Sequence, residues 1–177
     1  MISTGTLVFM ILDMLLGFAV PVCLAWWMIK KYKVRLSTIL IGAATFIVFA
    51  LVLEALVHKI VLGGSLGAAI QGKTLYYALY GGLMAGLFEE TGRFLSMKFL
   101  MKKEPTTVLP GLAYGAGHGG VEMLIVFGVS MISNLVMSVM INAGQLETIV
   151  SQTPAEAQEQ VRAAAAQLAE LRAGGLL

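Results

Sequence analysis

Charge is what this 177-residue chain has least of: Asp, Glu, Lys and Arg make up 12% of it, about half their share in an ordinary soluble domain. A single cysteine, Cys23, excludes an internal disulfide framework and any multi-cysteine zinc site. Two histidines, His58 and His118, mean that a bound metal would need carboxylate ligands as well. A formal charge of +2 is too small for a nucleic-acid partner. The N-terminal residues Met1 to Leu7 carry no basic side chain, and the apolar run goes on to Ile29 without a clear cleavage site, so it reads as a membrane span and not as a secretory signal.

Apolar sequence fills the place of the missing charge. Hydrophobic residues are 58% of the chain and the mean hydropathy is +0.86. A membrane helix needs about 20 mostly apolar residues. Four stretches qualify: Leu7–Ile29, Leu36–Leu62, Leu75–Met97 and Val108–Val129. The last continues through Ser130 to Asn142, so it is either one long helix or two that break near Gly128. The expected fold is an all-α, polytopic integral membrane helical bundle, with a transmembrane domain over 1–150 and an extramembrane segment over 151–177.

Basic residues set the expected orientation. Lys30, Lys31, Lys33 and Arg35 crowd the first connection, and Lys98, Lys102 and Lys103 crowd the third, whereas 63–73 holds only Lys73. The bias of Lys and Arg toward the cytoplasm puts loops 30–35 and 98–106 inside and the N-terminus outside. After Ser151 the sequence turns polar. Thr153-Pro154-Ala155-Glu156 has the form of a capping box. A helix from Ala155 to Arg172 is expected to follow, stopped by Gly174-Gly175, with Val161, Leu168 and Leu171 on a small apolar face suited to an exposed or interfacial position.

Glu89, Glu90 and Arg93 stand out because they lie inside an apolar stretch. A charge at the centre of a bilayer costs about 2.5–3.5 kcal/mol on insertion scales, so three within five positions require partners or a task. On a helix Arg93 is one turn from both carboxylates and can hold one of them ionised. The other, desolvated, becomes a proton acceptor. An ion triad that merely joins helices is the competing structural reading. Tyr114, His118 and Glu122 recur at helical spacing on the next span, within the glycine-dense run Gly115-Ala116-Gly117-His118-Gly119-Gly120. Those glycines serve either close helix packing or room for a substrate backbone. At about 1.5 Å per residue, Glu89 sits roughly 13 Å from the cytoplasmic end of its helix and His118 roughly 16 Å from the start of its own, so antiparallel neighbours bring both to one depth. Glu54 and His58 form another one-turn pair, expected to be a structural pairing that Lys59 could join, with an accessory role as the alternative.

Phe88-Glu89-Glu90-Thr91-Gly92-Arg93, followed by Tyr114-Gly115-Ala116-Gly117-His118-Gly119-Gly120-Val121-Glu122, resembles the YhfC-type intramembrane proteases. These belong to a broader clan of CAAX prenyl proteases and bacteriocin-processing enzymes. The resemblance implies hydrolysis of peptide bonds in membrane-embedded or lipid-associated substrates. Glu89 would activate water, His118 would orient it, Glu90 and Arg93 would support the site, and Glu122 would orient His118 or water. One available imidazole and no His-Glu-x-x-His element favour a metal-free glutamate mechanism, with zinc held by Glu89, His118 and Glu122 as the alternative. The clan's third motif, a later His, has no counterpart after His118, so a truncated member is expected. That departure keeps open a catalytically inactive scaffold or substrate-presenting protein with the same polar core. A small proton-coupled carrier is a third reading, disfavoured by the lack of an internal repeat. The expected partners are membrane lipids and a membrane-embedded peptide or protein, in a bacterial plasma membrane.

Overall fold

Residues 1–105 and 107–170 are described by a computed structural model. The chain is an all-α membrane helical bundle: the described residues form helices and no strands. Helix α1 spans Thr4–Tyr32, α2 Leu36–Gly63, α3 Gly67–Gln71, α4 Thr74–Leu95, α5 Val108–Asn142, α6 Leu146–Gln152 and α7 Ala155–Glu170. Three of them, α1, α2 and α5, are long and apolar enough to cross a membrane. The stretch expected as a further span, Leu75–Met97, does fold as the 22-residue α4, but it is not among those three. Tyr76, Tyr77, Tyr80 and the Glu89–Glu90 pair dilute its apolar character. The expected alternative of a break near Gly128 does not occur. The helix runs on through a wide π turn over Met123–Gly128, the kind of local widening that absorbs a misfit without ending a helix. Similar π segments occupy Ile47–Glu54 inside α2 and Ser96–Leu100, which continues α4 past Leu95.

Burial is inverted relative to a soluble protein. Leu83 is 72% exposed and Ile60 73%, whereas Thr38, Thr45, Ser96 and Ser138 are buried. Lipid offers helices no hydrophobic reason to associate, so small residues and hydroxyls make the interior while Leu and Val face outward.

Two compact units divide the chain. One holds Met1–Ala19 and the chain from Met123 onward. Its core is Ile2, Met10 and Leu168, surrounded by Leu7, Leu135, Met137 and Ile141. The Asn142 amide clamps the first residues of the chain: Ile2 N donates to Oδ1 at 2.7 Å, and Nδ2 donates to the Ile2 carbonyl at 2.9 Å. Two phenylalanines seat on glycines, Phe127 over Gly17 and Phe18 over Gly128, and a Cβ at either glycine would sit 2.9 Å from the ring. Of the expected apolar face of α7, Leu168 is 6% exposed and packs into the core, while Val161 is half-buried. Thr153 bonds back to the Ile149 carbonyl at 2.9 Å. The Glu156 side chain, Leu171, Arg172 and the Gly174-Gly175 stop lie outside the described residues. Arg162 grips Glu147 with two hydrogen bonds of 2.7 and 2.8 Å. The hydrogen bond, followed by the opposite charge, lowers the Glu147 carboxyl below its ordinary range and raises Arg162.

The other unit is Val20–Glu122. Helix α2 lies between α4 and the first part of α5. Against α5 the approach is backbone to backbone: a Cβ on Gly42 would overlap the Tyr114 carbonyl, and one on Gly117 would overlap the Ile39 carbonyl. Against α4 the contacts are made by side chains. The hydroxyls of Thr45 and Ser96 hydrogen-bond at 2.6 Å, and the Phe49 ring lies over Gly92. Met28, Ile39 and Ala113 form the apolar centre. At the basic end, Glu104 accepts from Arg35 at 3.3 Å and from Thr38 at 3.1 Å, tying the third connection to the first.

Candidate active site

The acid–imidazole pair is built from α4 and α5. Glu89 and His118 are 29 positions apart in sequence, and Glu89 Oε2 lies 3.3 Å from His118 Nε2. The Gly42 and Gly117 contacts press α2 against the segment that carries His118, leaving the imidazole only 6% exposed. Phe46 of α2 meets the ring edge-to-face at a centroid distance of 5.2 Å, and Tyr114, one turn earlier on α5, lies 5.8 Å away. Both rings fix the imidazole plane. The Glu89 side chain is more open, at 29% exposure. Its other oxygen, Oε1, has no partner among the described residues.

The second carboxylate goes elsewhere. Glu90 Oε1 accepts from Arg93 Nη1 at 2.7 Å, and both side chains are substantially exposed. Adjacent helical positions point about 100° apart, so one carboxylate faces α5 while its neighbour does not. Arg93 and Glu122 nevertheless border the same cavity as Glu89 and His118, a space of about 620 Å³ that Gly115 and Gly119 also line. Glu122 makes no hydrogen bond among the described residues. The five expected site residues therefore separate into two contacting pairs and one carboxylate on the cavity wall.

Two polar atoms in this region are buried without a hydrogen-bond partner: Tyr114 Oη and His118 Nδ1. With Nε2–H donating to the Glu89 carboxylate, Nδ1 keeps a bare lone pair. The sequence marks Tyr114 only as an aromatic position on the His118 face; nothing in residue spacing signals that its hydroxyl is orphaned.

A second polar chain lies further along α2. His58 Nε2 is 3.1 Å from Glu54 Oε1, and Nδ1 is 2.9 Å from Tyr80 Oη on α4. The Glu54–His58 pair was expected from spacing. Tyr80, and not Lys59, completes it, because a partner across a helix interface leaves no trace in one-turn periodicity.

Over residues 16–174 the chain matches the sequence family described as YhfC intramembrane metalloprotease. It is 42% identical over 151 residues to the protein of Bacillus subtilis (strain 168) called "Uncharacterized membrane protein YhfC". That alignment covers 85% of this chain and 58% of the relative, so the chain spans under two thirds of the relative's length. No solved structure matches.

The family description names a metal, and the donor set can be tested against one. A catalytic zinc takes three protein ligands and an open position. Among the described residues no three His, Cys, Asp or Glu side chains converge on a point. Glu89 and His118 supply two donors already in contact with each other, and Glu122 stands off on the wall. These residues by themselves do not fit a zinc centre. Family membership rests on sequence and not on this donor count: with the match running from residue 16 to residue 174 and the Bacillus relative at 42% identity, the chain belongs to the YhfC intramembrane metalloprotease family.

Proposed function

We propose that this chain carries the acid–base centre of a membrane-embedded endopeptidase, with Glu89 as general base and His118 as its orienting partner. The observation that carries the reading is the 3.3 Å Glu89–His118 contact bordering a cavity of about 620 Å³ in an otherwise apolar bundle. The His118 imidazole holds Oε2, which leaves Oε1 for a water molecule. Glu89 removes a proton as the water oxygen attacks the substrate carbonyl carbon. It then returns that proton to the amine nitrogen as the C–N bond breaks, so the step is a hydrolysis with no change in oxidation state. Arg93, fixed by Glu90, places positive charge at the rim, and Glu122 borders the water space one turn beyond His118. The substrate is a membrane-embedded or lipid-associated peptide. The test is cleavage of such a peptide by the chain and by its Glu89→Gln variant in lipid.

The reading is metal-free, which the two-donor arrangement favours. Elemental analysis of the purified chain is expected to find no stoichiometric zinc. One zinc per chain, lost in Glu122→Gln and in His118→Ala, would replace this form with the zinc form held by Glu89, His118 and Glu122.

The orientation that suits this centre keeps loops 30–35 and 98–106 in the cytoplasm, with α4 as a crossing helix in a bacterial plasma membrane. At the basic end of α1, Lys31 lies over the Trp27 and Tyr32 rings, at 5.4 and 5.7 Å from their centroids, an arrangement suited to the membrane–water boundary. In a Cys23→Ser background, Ser65→Cys is expected to react with an impermeant maleimide on intact cells, and Lys102→Cys only after permeabilisation. Reaction of both on intact cells would rule out this topology.

A further inference from the structure

The cavity beside Glu89 and His118 has an unusual wall. Positions 111, 115 and 119 lie one turn apart on α5, all are glycine, and all three line that cavity. A Cβ at any of them would meet nothing within 4 Å. Glycine disfavours a helix interior relative to alanine, and at Gly42 and Gly117 backbone contact accounts for it. No such contact accounts for Gly111, Gly115 or Gly119. Gly81, Gly82 and Gly86 of α4 are equally open, but they border neither this cavity nor the groove described next.

That groove lies on the other side of the same ridge. It has a volume of about 560 Å³ and is walled by Leu24, Trp27, Met28 and Tyr32, with Gly111, Leu112 and Gly115 shared between the two spaces. Its size is typical of ligand sites, which run to about 300–1,000 Å³. The two spaces therefore meet across Gly111, Leu112 and Gly115, apolar on one flank and acid–imidazole on the other. Tyr114 and His118, which line the polar flank, are 2% and 6% exposed, and each keeps a polar atom without a partner.

We infer that this trench seats an extended peptide segment, its main chain crossing the Gly111–Gly115–Gly119 ridge and a large apolar side chain filling the groove beside Trp27 and Met28. The inference rests on the reading of Glu89 as the hydrolytic base and adds the substrate class: an unwound segment with a bulky apolar residue next to the cleaved bond. On the cavity side of α5, Gly111, Gly115 and Gly119 admit a main chain where a side chain at any of them would hold it off. An intact helix keeps its N–H and C=O groups bonded to one another, and an extended segment does not. It presents its carbonyls to the Glu89 side of α5, where one must lie for a water held at Oε1 to attack it.

The experiment uses the full chain in lipid nanodiscs and two fluorescent peptides identical except for Phe or Ser at one position beside the candidate bond, with binding and cleavage measured separately. The wild-type chain is expected to bind the Phe peptide about tenfold more tightly, a part of what burying that side chain yields. Gly115→Leu, whose Cβ would meet nothing within 4 Å, is expected to stay folded and to lose about tenfold in binding the Phe peptide. Glu89→Gln is expected to bind like wild type. Equal binding of the two peptides, as a groove filled by lipid or by another helix would give, overturns the inference. So does a folded Gly115→Leu chain that binds normally. If Gly115→Leu fails to fold, the wild-type comparison decides alone. Cleavage without preference removes the groove assignment and leaves the hydrolytic reading. Preferential binding without cleavage does the reverse.

Discussion

Glu89→Gln is expected to lower peptide cleavage by about 10²–10⁴-fold, the usual contribution of a positioned general base. The amide is nearly the same shape as the carboxylate and can still accept from His118 Nε2, so the contact at 3.3 Å and the packing of α4 against α5 survive. What disappears is the ability to take a proton from water. The loss should therefore fall on kcat, with peptide binding and melting temperature close to wild type. Glu90→Gln should behave differently. That side chain does not line the cavity and pairs with Arg93, so it takes no part in moving the proton. A severalfold decrease is the expected ceiling. Cleavage retained in Glu89→Gln, or an equal collapse in Glu90→Gln, would show that the base has been misassigned.

Gly117→Ala is expected to destabilise the bundle more than any other single methyl addition in the segment that bears His118. The new Cβ would overlap the Ile39 carbonyl oxygen, and a backbone oxygen has no rotamer by which to withdraw. Overpacking costs typically about 1–3 kcal/mol and sometimes more. Here the cost belongs at the upper end, because two helices must separate. Gly115→Ala, two residues earlier, meets nothing within 4 Å and should instead gain up to about 1 kcal/mol of helix propensity. Thermal unfolding in one detergent gives the contrast directly. If the two variants melt together, α2 and α5 do not approach as closely as the Gly42 and Gly117 contacts indicate. Since His118 follows Gly117, the destabilised variant should also loosen the Glu89 contact.

Much of this was legible in the residues because the membrane restricts what a chain can do. Twenty apolar positions in a row have few alternatives to a helix, and α1, α2 and α5 fall where hydropathy puts them. One-turn spacing offered Arg93 to both Glu89 and Glu90 without choosing between them and put Glu54 beside His58, since such contacts are local to a helix. The depth argument for Glu89 and His118 also used local geometry, the rise per residue along two antiparallel helices. What stayed hidden is interhelical. Tyr80 bonding His58, Thr45 bonding Ser96 and the burial of Leu168 all depend on which faces meet, and periodicity alone does not specify a partner. The glycine run shows the limit most plainly. Gly115, Gly117 and Gly119 look alike in sequence, yet one is occluded by a carbonyl and two are open, a difference set by the rotation of α5 about its axis.

The manner in which α2 grips its two neighbours also determines where the bundle can yield. Main-chain atoms at Gly42 and Gly117 leave no slack between α2 and the Val108–Glu122 part of α5. Helix α4 is tethered by the Thr45–Ser96 and His58–Tyr80 hydrogen bonds and by a ring resting on Gly92, links that can lengthen or swing through side-chain torsions. Displacement therefore concentrates in α4, and because Glu89 rides on it, any widening of the cleft also changes the reach of the base toward its imidazole.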